Sequence, residues 1–194
     1  MNKKELASLQ TRSKILKIAR QKFAAKGFHN TSLQEIVEEI GLTRGALYHH
    51  FKNKEEILRD LLRVIQAELA DYVEKRALRS SDPWEQLIDG CTAFVEKAVD
   101  TDTIKILLAD GPSILSWREW KRMDSEHSEA HLKEQLLTLQ TEGKIKEMNL
   151  DYLTGFISGG LNELAITVSR SDSFDKQEIE DCIRILLEGI RKNG

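Results

Sequence analysis

Residues 31–54 read TSLQEIVEEIGLTRGALYHHFKNK, and they decide the fold. Leu33, Ile36, Val37 and Ile40 recur at helical spacing and give one helix a single apolar face. Gly41 follows, a residue that adopts the positive φ of a sharp inter-helix turn at little steric cost. Leu42 plugs that turn, and Thr43 stands where it caps the orphan amides of a second helix. On this second helix Leu47 and Phe51 are four apart and point inward. Gly45 and His49 lie nearly opposite them, with Arg44 and Tyr48 flanking the outer face. An outer face of donors, a flat aromatic ring and a glycine suits the major groove of DNA, whereas a solvated surface helix more often carries Glu and Lys. The pattern reads as a helix-turn-helix, and the bland alternative is two short core helices of an all-α domain.

Upstream, residues 11–26 form a predicted helix with Ile15, Ile18, Ala19 and Phe23 inside, Thr11 as N-cap and Gly27 as its close. Its Lys14, Lys17, Arg20, Lys22 and Lys26 fit a solvated face as well as a phosphate-facing one. Ser32 with Gln34 or Glu35 fits a capping box, and Thr31 sits where a hydroxyl donates to a phosphate beside free backbone amides. Lys54 reaches a phosphate as a point charge and opens a helix over residues 54–78. Ile57, Leu58, Leu61, Leu62, Ile65 and Leu69 stripe that helix, a strut of roughly 35 Å at 1.5 Å per residue.

Ser80-Ser81-Asp82-Pro83 is the strong linker signal of the chain, and it caps a helix from Trp84 to Val99. Residues 104–109 form a short apolar helix ending at Asp110-Gly111-Pro112, and residues 116–141 a long, charged one. The last two helices, at about 150–169 and 175–192, carry narrow apolar seams. Leu153, Ile157, Leu161 and Leu164 form one seam, and Ile179, Ile183, Leu186 and Ile190 the other; Gly155, Ser158, Gly159 and Gly160 leave room for a close partner helix. No period-two alternation between hairpin turns occurs, so the fold class is all-α, with about nine helices.

Composition narrows the class further. The 194 residues are 40% hydrophobic and 31% charged, enough for a sizeable core, with only two prolines to interrupt helices. Residues 1–55 hold eleven Lys and Arg against five acids, whereas the rest holds eighteen against twenty-seven. A basic front end on a mildly acidic chain fits one that offers one end to a polyanion. No run of eighteen apolar residues and no apolar N-terminal stretch occurs, so a cytoplasmic protein without membrane contact is expected. Cys91 and Cys182 both fall in apolar helical patterns and read as buried free thiols of a reducing compartment.

The stretch from TRSKILKIARQKFAAKGFHNTSLQEI through VEEIGLTRGALYHHFKNKEEIL, residues 11–58, resembles the N-terminal domain of the TetR (tetracycline-repressor, AcrR-like) family of bacterial transcription regulators. The resemblance covers about a quarter of the chain. It implies a helix-turn-helix DNA-binding domain over residues 1–55 and a helical effector-binding and dimerisation domain over residues 56–194. It implies dimerisation through the final two helices as a four-helix bundle, and a small effector whose binding moves the two DNA heads out of register with a palindromic operator. A two-fold dimer also supplies the base pairs that a lone helix-turn-helix lacks. Arg44, Gly45, Tyr48 and His49 are then expected at the major groove, Arg44 first among them, with Thr31, Thr43, Tyr48, His50 and Lys54 on phosphates. The effector candidates are Trp117 and Trp120, one turn apart after the Gly111-Pro112 break, with Phe94, Phe156, Asn162 and Glu163. Core filling is the competing reading for each aromatic.

Other chemistry is weaker. His127 and His131 stand four apart on a charged helix, but Ser128 follows His127 where a zincin needs Glu, and two exposed histidines are usually solvated, so no metal is expected. Neither cysteine has an electropositive motif beside it, and no glycine loop for phosphate occurs, so neither a catalytic role nor a cofactor is expected. The competing functions are an all-α ligand-binding or enzymatic protein with a vestigial helix-turn-helix, and a sequence-tolerant DNA binder without effector control. Arg44, Gly45 and Lys54 occurring together argue against the vestigial form.

Overall fold

The computed structural model describes residues 2–125, 128–171 and 174–192. They divide into two compact units, one of residues 1–65 with 101–120, the other of residues 66–100 with 121–194. The described residues are helical apart from loops and one isolated bridge between Ile145 and Arg191.

The first unit begins with α1 (Lys3–Lys26), eight residues earlier than the Thr11 start expected from sequence. Asn2 and Glu5 form a reciprocal capping box there, and nothing in residues 3–10 breaks a helix. Thr11 is mid-helix, its hydroxyl donating to the Ala7 carbonyl at 2.9 Å. Ile15, Ala19 and Phe23 are buried, and α1 packs on α2 (Leu33–Ile40). Ser32 caps α2 in a second capping box with Glu35, and α3 (Arg44–Tyr48) follows. The first half of α4 (Lys54–Ala77) adds Ile57, Leu58 and Leu61 to the buried set of this unit.

Residues 101–114 differ from expectation. The Asp110-Gly111-Pro112 stretch continues the helix instead of ending it. A short α6 (Thr101–Thr103) passes into a π-helix (Ile104–Asp110) and then into α7 (Gly111–Ile114). The Gly111 amide donates five residues back, to Ile106. In that register the Leu107 carbonyl would take the amide of residue 112, which is proline and has none. The Trp120 indole N–H fills the gap at 3.0 Å. Gly111 permits this approach, since a Cβ there would stand 3.0 Å from Trp120 Cδ1. The segment is fixed to α1 by Lys105 Nζ donating to the Ala24 carbonyl, by an Arg20–Asp102 ion pair, and by the Phe28 amide donating to Asp110.

In the second unit α5 (Pro83–Ala98) is the central helix. Asp82 caps it, Pro83 occupies its first turn, and α9 (Ser128–Thr141), α10 (Leu150–Ser169) and α11 (Lys176–Glu188) pack around it. The helix expected over residues 116–141 is described as α8 (Trp117–Ser125) and α9; Glu126 and His127 lie outside the described residues, and with them the His127–His131 pair. Cys91 is buried, but Cys182 is exposed, contrary to expectation, because α11 turns it away from Ile179 and Ile183.

The apolar seams face inward. Leu153, Ile157 and Leu161 of α10 and Ile179 and Ile183 of α11 are buried within the subunit, with Leu164 and Ile190 partly buried. Leu186 alone of the expected interface is open, at 70% exposure. A regular three-four seam is what a core-facing helix must show, and here it serves the core of one chain. The face left open is a different one: Tyr152 (80% exposed) and Phe156 (82%) on α10, with Ile185 (74%) and Leu186 on α11.

Candidate nucleic-acid interface

The α2–α3 corner is built from short-range chemistry. Gly41 adopts φ 71°, and its amide and that of Leu42 return to the last turn of α2. Thr43 Oγ1 accepts the Ala46 amide at 3.2 Å and so starts α3. Leu47 and Phe51 are each 1% exposed and anchor the helix, leaving Arg44, Gly45, Tyr48 and His49 exposed together on its outer side. Arg44 Nε donates to Gln34 Oε1 at 2.5 Å, and Gln34 Nε2 donates to Glu38. Gln34 therefore holds the guanidinium by one edge, and its two terminal nitrogens make no bond among the described residues. Those are the nitrogens that a bidentate contact to guanine uses.

Gly45 has no structural reason to be glycine. Its φ is not positive, and a Cβ built on it meets only Thr43 Oγ1, at 4.0 Å. A glycine inside a helix costs about 1 kcal/mol relative to alanine, so the fold of this subunit alone would favour a side chain.

Two expected phosphate contacts are placed otherwise. Thr31 is 1% exposed and its hydroxyl donates to the Gly27 carbonyl at 2.9 Å, which closes the α1–α2 turn. Lys54 Nζ donates to the carbonyls of Phe28 and Thr31, both at 2.7 Å, and lies 4.2 Å from the centre of the Phe28 ring. Burial favours its neutral form and lowers its pKa. It brackets the turn that leads into α2. His50 is half-buried; its carbonyl accepts from Arg12 Nη1 at 2.6 Å.

That arginine is a site residue the sequence reading missed. Arg12 lies 4.1 Å over the Phe51 ring and pairs with Asp60, joining α1 and α4 to the end of the recognition helix. Its partners stand 38 and 48 residues away, so no local pattern signals it. Glu35 is the other electrostatic anchor: bonds from Lys26 and from the Ser32 amide hold its carboxyl down at about 2.

The second unit contains a cavity of about 300 Å³ that is partly open to solvent. Ala70, Val73 and Ala77 of α4 form one wall and Leu87, Cys91 and Phe94 of α5 another; α9 and α10 close it with Leu132, Ser158 and Leu161. Burial pushes the Cys91 thiol up to about 12, so it is a neutral, unreactive part of the wall. Of the six effector candidates only Phe94 lines this space. Trp117 is 66% exposed and Trp120 is buried, their rings 5.1 Å apart within the first unit. Phe156 and Glu163 face outward, and Asn162 is half-buried with its Oδ1 unpartnered. The other five lie elsewhere, Trp117 and Trp120 on α8 and Phe156, Asn162 and Glu163 on α10 away from the cavity lining. The cavity is framed by small residues, Ala70, Ala77 and Gly90, which leave space without advertising it.

Similarity to known proteins covers both the N-terminal and the C-terminal part of the chain. The family described as bacterial regulatory proteins of the tetR family matches residues 15–61, and the tetracyclin repressor-like C-terminal domain matches residues 84–190. The chain is 24% identical to the TetC protein of transposon Tn10 from Escherichia coli over 156 residues, 80% of this chain and 79% of that one. It is 36% identical to the transcriptional regulator TtgR of Pseudomonas putida over 103 residues, half of this chain and 47% of TtgR. The crystal structure of a TetR-family regulator from Pectobacterium atrosepticum aligns with a TM-score of 0.78 at 26% identity, covering 100% of this chain and 99% of that one. With more than half of its length matched by the C-terminal domain and its helix-turn-helix by the N-terminal one, the chain belongs to the TetR family of DNA-binding transcription regulators.

Proposed function

We propose that this protein is a repressor that binds a palindromic operator as a homodimer and is released by a small effector. The division of labour falls near residue 55, with the recognition machinery before it and effector binding and dimerisation after it. The observation that carries the DNA reading is Gly45: an exposed helical glycine that the subunit does not need, set among Arg44, Tyr48 and His49. Such a glycine lets the backbone of α3 come close to the groove, while Arg44 reads a base edge with its free terminal nitrogens. Tyr48, His49, His50 and Thr43 lie where they supplement this with phosphate or base contacts, and Lys54 and Thr31 act by holding the helix-turn-helix in shape.

Dimerisation uses the open face of α10 and α11. Tyr152, Phe156, Ile185 and Leu186 are large apolar groups whose exposure a soluble chain would not keep without a partner. Gly155, Gly159 and Gly160 have nothing within 4 Å of a built Cβ, so a second copy of α10 finds room beside them. The effector site is the α4–α5–α9–α10 cavity, whose volume lies at the lower end for a small organic ligand.

The test is selection of bound sequences from a random oligonucleotide pool, followed by titration of the selected and random duplexes across salt. The expected result is a palindrome bound at least about a thousandfold tighter than random DNA. A sequence-tolerant binder would instead show no enriched palindrome and a salt-driven affinity equal on both duplexes.

A further inference from the structure

The charge of the cavity is one-sided. Glu74 of α4 and Glu134 of α9, both exposed, line its edge, and neither carboxylate has an ion pair or hydrogen bond among the described residues. No Lys or Arg lines it, and the imidazole of His131 is the one lining group able to become positive. Several other acids of the same unit are matched by bases. Glu96 meets Lys176 and Arg76, Glu85 meets Arg184, Asp151 meets Lys133, and Asp82 meets Lys144.

The interior adds an independent sign of a ligand. Ser158 is 8% exposed, lines the cavity, and its hydroxyl makes no hydrogen bond among the described residues. Some helical hydroxyls of this unit fold back on their own helix, as Thr138 does to Glu134, Thr141 to Leu137 and Ser169 to Ile166, whereas those of Ser158, Thr92 and Thr154 do not, and of these three only Ser158 lines the cavity. Its oxygen is open to the cavity, where a polar group of a ligand can supply the missing partner.

We propose that the cavity takes an organic cation with an apolar body and a polar substituent. The body lies against Leu87, Phe94 and Leu161, the substituent meets Ser158, and the cationic centre is held by the Glu74 and Glu134 carboxylates. An anionic ligand of the same shape meets two like charges and no compensating base. This inference rests on the cavity being the effector site.

The test uses the full-length protein and three probes with one tail and different heads: decylammonium, decanol and decanoate, titrated by calorimetry at neutral pH. The expected order is decylammonium about tenfold tighter than decanol, with decanoate weakest. A Glu74→Gln, Glu134→Gln double variant should remove the preference for the cation while leaving decanol affinity unchanged. Ser158→Leu, which fills the interior, should weaken all three. Decanoate binding as tightly as decylammonium overturns the proposal, as does a cation preference that survives the double substitution. Binding of all three without charge preference sinks the cation alone and leaves the effector site standing. Failure of every probe to bind, or indifference to Ser158→Leu, removes the effector-site reading as well.

Discussion

Helices α3 and α10 both present exposed glycines that the subunit's own packing does not require, but they set them in opposite surroundings. On α3, Gly45 stands among Arg44, Tyr48 and His49, a face rich in hydrogen-bond donors. On α10, Gly155, Gly159 and Gly160 are exposed on the helix that carries Tyr152 and Phe156, rings 80% and 82% exposed, with the apolar Ile185 and Leu186 open on α11. A glycine in a helix interior is unfavourable for the free chain, so its presence where nothing crowds it marks the close approach of another molecule. The neighbouring side chains then give the class of that molecule. Donors suit a polyanion with hydrogen-bonding edges, and apolar surface suits a second copy of the same helices.

The comparison breaks most sharply at the dimer face. Phe156→Glu with Leu186→Glu should yield monomers at micromolar concentration by sedimentation, with the monomer still folded, because neither side chain is part of the core. Operator affinity should fall by about 10²- to 10⁴-fold as the second half-site no longer binds within the same assembly. A dimer that persists through both changes would move the interface elsewhere. Leu161→Glu gives the contrasting result: it buries a charge in the subunit core, so it should unfold the second unit before it separates subunits.

On the DNA side, Arg44→Ala should cost about 1–3 kcal/mol of operator affinity and relax preference at one position of each half-site. Lys54→Ala should act differently, through the turn between α1 and α2. Losing two carbonyl contacts made by a partly exposed ammonium should lower unfolding stability by about 1–2 kcal/mol and weaken all DNA sequences about equally. A changed sequence preference in the Lys54 variant, with stability intact, would give that residue a direct DNA role.

A smaller effect concerns acid. The folded pKa of Glu35 lies below its ordinary 4.5, at about 2, so what its charge contributes to folding is fully present above about pH 4.5 and is lost as pH falls toward 2. Titration of the Glu35 side chain by NMR should show the carboxylate still charged near pH 3. A midpoint near 4.5 would mean that the capping box and the Lys26 pair are absent in solution.

What the sequence made legible follows the range of the interactions. The α2–α3 corner depends on the Ser32–Glu35 capping box and on the backbone bonds of Gly41, Leu42, Thr43 and Leu47, all within five residues, and it could be read almost residue by residue. Arg12 could not, because Asp60 and His50 reach it only through the tertiary fold. The passage of helix through Gly111-Pro112 depends on an indole from Trp120, which no local rule contains. On α10 and α11 the helices themselves were legible, and their orientation was not: an apolar seam tells that a face is buried but not by which molecule. The cavity was hardest, since Glu74 and Glu134 signal nothing until the helices bring them to one space, and Ser158, which reads from sequence as room for a partner helix, lines that space instead.

The account rests most directly on Gly45, and one pair of readings on Gly45→Ala tests it. The alanine has open space in the free subunit, so thermal unfolding should show a protein as stable as the parent or more so, by about 0.5–1 kcal/mol. The same methyl group should obstruct the approach of α3 to the groove and weaken operator binding by about tenfold. Opposite signs in the two readings are the predicted result. Unchanged operator affinity in a stabilised variant would contradict the placement of this face of α3 against DNA.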